Sequence, residues 1–269
     1  MKIALTSLIL LLSSISCPVA AHDTWLQPRR TIVLPGTIAQ VDLTSGDKFA
    51  AFDAAIKPDR VATARVRLNG KIIEVAPGTL EKKTLELRIP LSDPGIATIW
   101  LSLLPRSIEL NRREVQHYLD DIDAPPLLTQ AWYAGKGSKV WREIYTKHAK
   151  TFVAVGRPGR VKADRSWSEP VGMPLEIVPE KDPTVLRAGD EFPVRVLRNG
   201  APLADFSLGI VREGKTNRAF NKTDAAGRAV FKLARAGKWL LRGTELRSSH
   251  NKSAVDWESD FTTLSFEVQ

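Results

Sequence analysis

The sequence predicts a mainly β protein built as two antiparallel, sandwich-like β units, at about residues 22–160 and 170–269, the first carrying two short helices. Short segments with alternating or continuous apolar residues recur along the chain and are separated by turn residues. Asn69-Gly70 and Asn199-Gly200 each sit between two such segments, and both residues of an Asn-Gly pair tolerate the positive φ of a type I′ hairpin turn. Helical periodicity is confined to one region between about residues 107 and 150.

Residues 1–21 read as a secretory leader that stands outside the fold. Lys2, an apolar run from Ile3 to Leu12, and small residues at Val19 and Ala21 meet the requirements of a cleavable signal. The run is too short to span a bilayer, and no second run of roughly 18 apolar residues follows, so the mature chain is expected to be soluble in the periplasm or outside the cell. A lipoprotein signal ending at Cys17 is the alternative, but Ser14 replaces the Leu that such signals prefer.

From Trp25 onward the strands follow in order. Ile38 to Leu43 leads to the turn Ser45-Gly46-Asp47, Val61 to Leu68 leads to Asn69-Gly70, and Lys71 to Val75 returns from that hairpin. Leu85, Leu87 and Ile89 alternate with Glu86, Arg88 and Pro90, while Ala97 to Leu104 is continuous enough for a buried strand. The period then changes. Ile108, Val115, Tyr118, Leu119 and Ile122 fall on one helical face, and Asn111 with Glu114 has the spacing of a capping box. Asp123-Ala124-Pro125-Pro126 ends that helix, and the stretch to Ser138 reads as loop. Val140, Ile144, Tyr145 and His148 predict a second helix from about Lys139 to Lys150, followed by a strand from Thr151 to Val155. Gly156 to Glu169 reads as a linker. Beyond it, Leu175 to Val178, Val194 to Leu197, Phe206 to Val211, Ala229 to Leu233, Lys238 to Arg242 and Leu264 to Val268 supply the strands of an Ig-like or carboxypeptidase-regulatory-like sandwich.

Cleavage after Ala21 would make His22 the first residue, with a free α-amine and an imidazole Nδ1 able to hold one metal ion in a single small ring. The only cysteine, Cys17, belongs to the leader, so the mature chain forms no disulfide and offers a metal nitrogen and oxygen alone. His22, His117, His148 and His250 are all the histidines there are. Asp23, beside the terminus, is a further candidate ligand through its carboxylate. His117 and His148 also have an ordinary reading as hydrogen-bonded helix residues, His148 favouring the helix dipole at its end. The chain carries a formal charge of +9, or +8 once Lys2 leaves with the leader, but its cations are interleaved with acids along the whole length. That pattern makes solvated surface and argues against a nucleic-acid partner. No Gly-x-Ser-x-Gly elbow frames a nucleophile and no phosphate-cradling loop is present.

With these residues in view, the chain is similar to the domain of unknown function 4198 family, exported bacterial proteins whose relatives are linked to nickel and cobalt uptake. The resemblance covers nearly all of the mature chain. It rests on Ala21-His22-Asp23-Thr24-Trp25-Leu26-Gln27-Pro28, His117-Tyr118-Leu119, Arg142-Glu143-Ile144-Tyr145 with Ala149-Lys150, Pro174 to Pro179, Thr223 to Ala229, and Asp256-Trp257-Glu258-Ser259. It implies a periplasmic metal-handling role through His22, with Ni, Co or Cu as the ion and a membrane metal transporter as the partner. Glu245 stands where similar proteins often carry His, which would favour harder ions if that position is a ligand. Two other classes compete with an accessory metal-binding protein. One is a copper oxidase of polysaccharides, which would need a second histidine and a flat substrate face. The other is a protein- or glycan-binding module in which the terminal histidine has no role.

Overall fold

The computed structural model describes residues 22–76, 78–134, 140–156, 165–215 and 219–269. Its strands and helices in chain order are β1 (Asp23–Pro28), β2 (Ile32–Val33), β3 (Thr37–Gly46), β4 (Ala54–Ala55), β5 (Val61–Leu68), β6 (Lys71–Glu74), β7 (Thr79–Leu80), β8 (Leu85–Leu91), β9 (Gly95–Leu103), β10 (Arg106–Leu110), α1 (Arg112–Asp121), α2 (Pro126–Ala134) and β11 (Trp141–Val155). After these come β12 (Leu175–Pro179), β13 (Glu191–Arg198), β14 (Ala201–Pro202), β15 (Ser207–Arg212), β16 (Ala219–Lys222), β17 (Arg228–Lys232), β18 (Gly237–Ser248) and β19 (Trp257–Val268). The protein is mainly β, as its alternation predicts. No described helix is long and apolar enough to cross a membrane.

Local chemistry explains the turns and caps. Asn69 and Gly70 have φ of 51° and 76°, and Asn199 and Gly200 have 48° and 81°, the pairs of positive angles that a type I′ turn needs. Asn111 caps α1 by accepting from the backbone N–H groups of Arg113 and Glu114, while the Glu114 side chain accepts from the Asn111 N–H, closing the capping box.

Among the described residues the strands form three sheets. β1, β3, β8 and β7 form a five-stranded sheet with β4 on β3, and β12, β13 and β14 form a four-stranded one with β17 on β13. Between them lies a ten-stranded sheet in the order β16-β15-β18-β19-β11-β9-β5-β6, with β10 and β2 also paired to β11. β11 joins its halves, running parallel to β19 on one side and antiparallel to β9 on the other. Successive residues of a strand face opposite ways, so β11 serves two cores. Ala149, Val153 and Val155 pack with Leu26, Val41 and Leu87, whereas Phe152 packs with Ile177, Val194 and Phe266. The five- and four-stranded sheets therefore cover opposite faces of the ten-stranded sheet. Almost all of the first core comes from residues before 156, and most of the second from residues after 165.

Two local expectations are corrected. The helix expected from Lys139 to Lys150 is instead the first part of β11, which extends to Val155. Its first half is part-buried, with charged residues on both faces, and both faces are buried only from His148 on, so no period-2 signal appears and Val140, Ile144, Tyr145 and His148 match a helical spacing by coincidence. The second helix is α2, where a loop was expected. Its Pro125-Pro126 start is compatible with a helix because the first-turn N–H groups need no partner within it. The expected linker falls largely on residues 157–164, outside the described residues, as does the expected leader.

Candidate metal centre

β1 crosses the ten-stranded sheet and is fixed to it by side chains that hold its backbone. Thr263 Oγ1 donates to the Thr24 carbonyl at 2.7 Å, Ser265 Oγ donates to the Leu26 carbonyl, and Lys147 Nζ donates to the His22 carbonyl at 2.5 Å. Asp23 is 6 % exposed and its Oδ1 accepts from Arg242 Nε at 2.6 Å. The same guanidinium reaches Asp121 at the end of α1, both at its carbonyl (2.9 Å) and at Oδ2 (3.0 Å). Asp23 thus holds β1 to β18 and α1.

His22 emerges from this fixed strand with its side chain 32 % exposed. Antiparallel pairing sets Asp23 opposite Gly46, so the next residue on each strand, His22 and Asp47, come together beyond the pair. His22 Nε2 lies 3.2 Å from Asp47 Oδ1. A carboxylate at Nε2 favours the tautomer protonated there and leaves Nδ1 as a lone pair, the usual arrangement around a metal-bound histidine. Nδ1 is the nitrogen that can close a ring with the α-amine of the same residue. Burial pushes the neighbouring Lys147 ammonium down to about 8; the carboxylates of Asp23 and Asp47 oppose that shift, and Arg242 and Arg60 add to it.

His148 lies elsewhere. It follows Lys147 in β11 and so points through the opposite face of the sheet. Both ring nitrogens are engaged, Nδ1 with Ser102 Oγ at 2.8 Å and Nε2 with Asp260 Oδ1 at 3.1 Å, and the residue is 2 % exposed. Asp260 also accepts from Arg247 (2.8 Å) and Arg198 (3.1 Å). Burial disfavours its charge, but hydrogen bonds from His148 and Arg247 outweigh that and hold its carboxyl below the usual range. Glu245 belongs to the same network, its Oε2 2.9 Å from Arg198 Nε and 3.1 Å from Arg247 Nη1. Ser102, His148 and Asp260 form a hydrogen-bonded line, with serine at Nδ1 and aspartate at Nε2, in which two arginines share the aspartate. This network ties β9, β11, β13, β18 and β19 together.

His117 is exposed on α1, and His250 is exposed in the β18–β19 loop, where its backbone N–H donates to Glu258. The six candidate ligands therefore occupy four places: His22 with Asp23, His148 with Glu245, His117, and His250. Among the described residues no group of three or more His, Cys, Asp or Glu side chains is arranged to hold a metal. If the chain is cut after Ala21, a chelate at His22 would fit the residues present, with the α-amine and Nδ1 as donors and Asp47 behind the ring. Asp47, Lys147, Asp260, Arg198 and Arg247 were missed by sequence reasoning. Asp47 had a signal, since it closes the turn Ser45-Gly46-Asp47, but its pairing with His22 depends on strand register.

Fold and site together describe a layered β-sheet protein with a carboxylate-backed histidine at the head of its first strand. The chain belongs to the family described as "Domain of unknown function (DUF4198)", whose model matches residues 19–244. No curated protein matches its sequence at a significant level. Among solved structures it is similar to an amphioxus IgVJ-C2 molecule (8 % identity, 88 % of this chain and 99 % of that one, TM-score 0.21) and to the chicken CNTN1 FN1-FN3 domains (8 %, 89 % and 67 %, 0.19). It is also similar to Escherichia coli alpha-2-macroglobulin activated by porcine elastase (10 %, 91 % and 32 %, 0.19). Overlaps at these TM-scores bear no weight for this chain.

Proposed function

We propose that the exported protein, processed after Ala21, is a periplasmic binding protein for a divalent transition ion, Ni, Co or Cu, and serves metal uptake or homeostasis as an accessory to a membrane transporter. The observation that carries this reading is the 3.2 Å contact of His22 Nε2 with Asp47, which leaves Nδ1 for the ion. The α-amine and Nδ1 supply two nitrogen donors, a set that suits these three ions. When bound, the ion would be held at two points on a part-exposed residue, leaving coordination positions for a receiving site. Such a site suits transfer better than permanent storage. Lys147 holds the His22 carbonyl, and Asp23 with Arg242 holds the strand behind it, so the donor pair is oriented before the ion arrives.

Calorimetric titration of the processed protein with Ni²⁺, Co²⁺ and Cu²⁺ tests the reading. One ion per chain is expected, with binding abolished in His22→Ala and retained in His117→Ala and His250→Ala. Unchanged binding by His22→Ala would remove the proposal.

A further inference from the structure

Two of the segments that carry the family resemblance, Arg142 to Tyr145 and Asp256 to Ser259, take no part in the His22 site. They meet at the far end of β11, where a cavity of about 510 Å³ opens between α2, the start of β11 and the β18–β19 loop. Its size lies within the range of roughly 300 to 1,000 Å³ found for small-molecule pockets. Trp132, Val140, Arg142, Lys252, Asp256 and Trp257 line it.

The aromatic wall is one-sided. Trp257 stacks on the wholly buried Trp141 with ring centroids 4.6 Å apart and planes at 10°, and Trp132 meets Trp141 edge-on at 5.0 Å. One face of the Trp257 indole is thus covered by protein, which leaves the other face and the ring edge for its partial exposure. Beside it, Val140, just ahead of β11, leaves 52 % of its apolar side chain exposed. Trp132 is 7 % exposed, yet its indole N–H has no acceptor among the described residues.

The charges at the cavity are unequal. Arg142 grips Asp256 through Nε (3.1 Å) and Nη2 (3.0 Å), and Nη2 also donates to the Lys252 carbonyl at 3.2 Å, which fixes the loop. Asp256 is neutralised by that fork. The exposed Lys252 ammonium meets no carboxylate among the described residues, so the lining holds two cations against one anion. Tryptophan platforms accept the apolar face of a flat ring, and a free ammonium at the rim selects a negative substituent.

We propose that this cavity is a binding site for a ring-shaped organic carboxylate, its ring lying on Trp257 and its carboxylate at Lys252. An acidic sugar and an aromatic carboxylate share that chemistry. The proposal involves no residue of the metal site and is independent of it.

Calorimetry of the processed full-length protein with galacturonate, benzoate and their neutral counterparts galactose and benzamide tests it. Saturable one-to-one binding of galacturonate assigns the site to acidic sugars, and of benzoate to aromatic acids. Either result should exceed its neutral counterpart by about threefold or more, the measure of a rim charge pair. Trp257→Phe should weaken binding by about tenfold through loss of ring area. Lys252→Glu, an exposed change that leaves the core untouched, should erase the preference for the acid. Failure of both acids to bind overturns the proposal, as does binding that is indifferent to Lys252→Glu in a protein with an unchanged thermal transition.

Discussion

At His22 two properties come from different sources. Its candidacy as a ligand can be read from the sequence, because a histidine directly after a signal-like leader would, once the leader is cut, present two nitrogens to one ion. Its preparation as a ligand cannot be read there, because Asp47 becomes its neighbour only through the register of β1 with β3. Outer carboxylates that orient a metal-bound imidazole typically contribute about 10- to 100-fold in affinity, so Asp47→Ala should lower affinity by that order while leaving the fold intact. Calorimetry with the same ions measures the affinity, and circular dichroism checks the fold. Asp23 behaves differently because its carboxylate is buried against Arg242. Removing one partner of a buried ion pair costs about 3 to 5 kcal/mol, so Arg242→Met should lower the urea midpoint sharply, with metal affinity per folded molecule changing little. His148 shows where the sequence misleads. A helical reading of residues 139–150 puts it at a helix end, whereas the strand puts it in a buried network on the face opposite Lys147.

At the level of elements, β11 was the hardest to read and organises the most. Short hairpin strands announced themselves through alternation and Asn-Gly turns, and α1 through its capping box. A strand packed on both faces has no such alternation, and Glu143, Lys147, His148 and Lys150 broke up its apolar run. Each of these polar groups has a partner that only the folded sheet supplies. Lys150 is buried against Glu176 of β12, and Glu143, 1 % exposed, accepts from Tyr118 (2.9 Å), Trp141 (2.7 Å) and Ser259. Burial raises the Glu143 carboxyl above its ordinary 4.5, and the three neutral donors only partly offset it. A carboxyl raised in the folded state gives stability that is fully present below its unfolded value and is lost as pH rises through the folded value. Glu143→Gln removes that dependence, so the stability of the natural protein relative to the variant should fall as pH increases from about 4.5 upward. Urea melts at a series of pH values will measure it. A constant difference across the range would show that the native and unfolded carboxyls titrate alike.

For the whole molecule, the mainly β architecture was legible because turn signals and apolar periods are local. The ten-stranded sheet was not, since β11 and β19 are distant in sequence and pair in parallel. That pairing couples the cores through one strand. Phe152→Ala empties a position in the second core at an expected cost of about 3 to 5 kcal/mol, and the loss should also speed amide exchange of Val153 and Val155, which face the first core. Exchange confined to residues after 165 would mean that the cores open separately. The same layered arrangement pins β1 across the sheet and delivers His22 to the surface at its head. On the proposed reading an ion would be held only if the chain begins at His22, because an amide nitrogen in place of the amine would remove one of the two donors. The most direct measurement compares protein exported and processed after Ala21, its terminus verified by mass spectrometry, with protein carrying one extra residue before His22. All side chains of the site are the same in both. The processed protein should bind Ni²⁺ or Cu²⁺ with an affinity that rises with pH as the terminal amine, of reference pKa about 7.7 to 8.0, sheds its proton. The extended protein should fold identically and lose most of that affinity; equal binding by the two would contradict a chelate at His22.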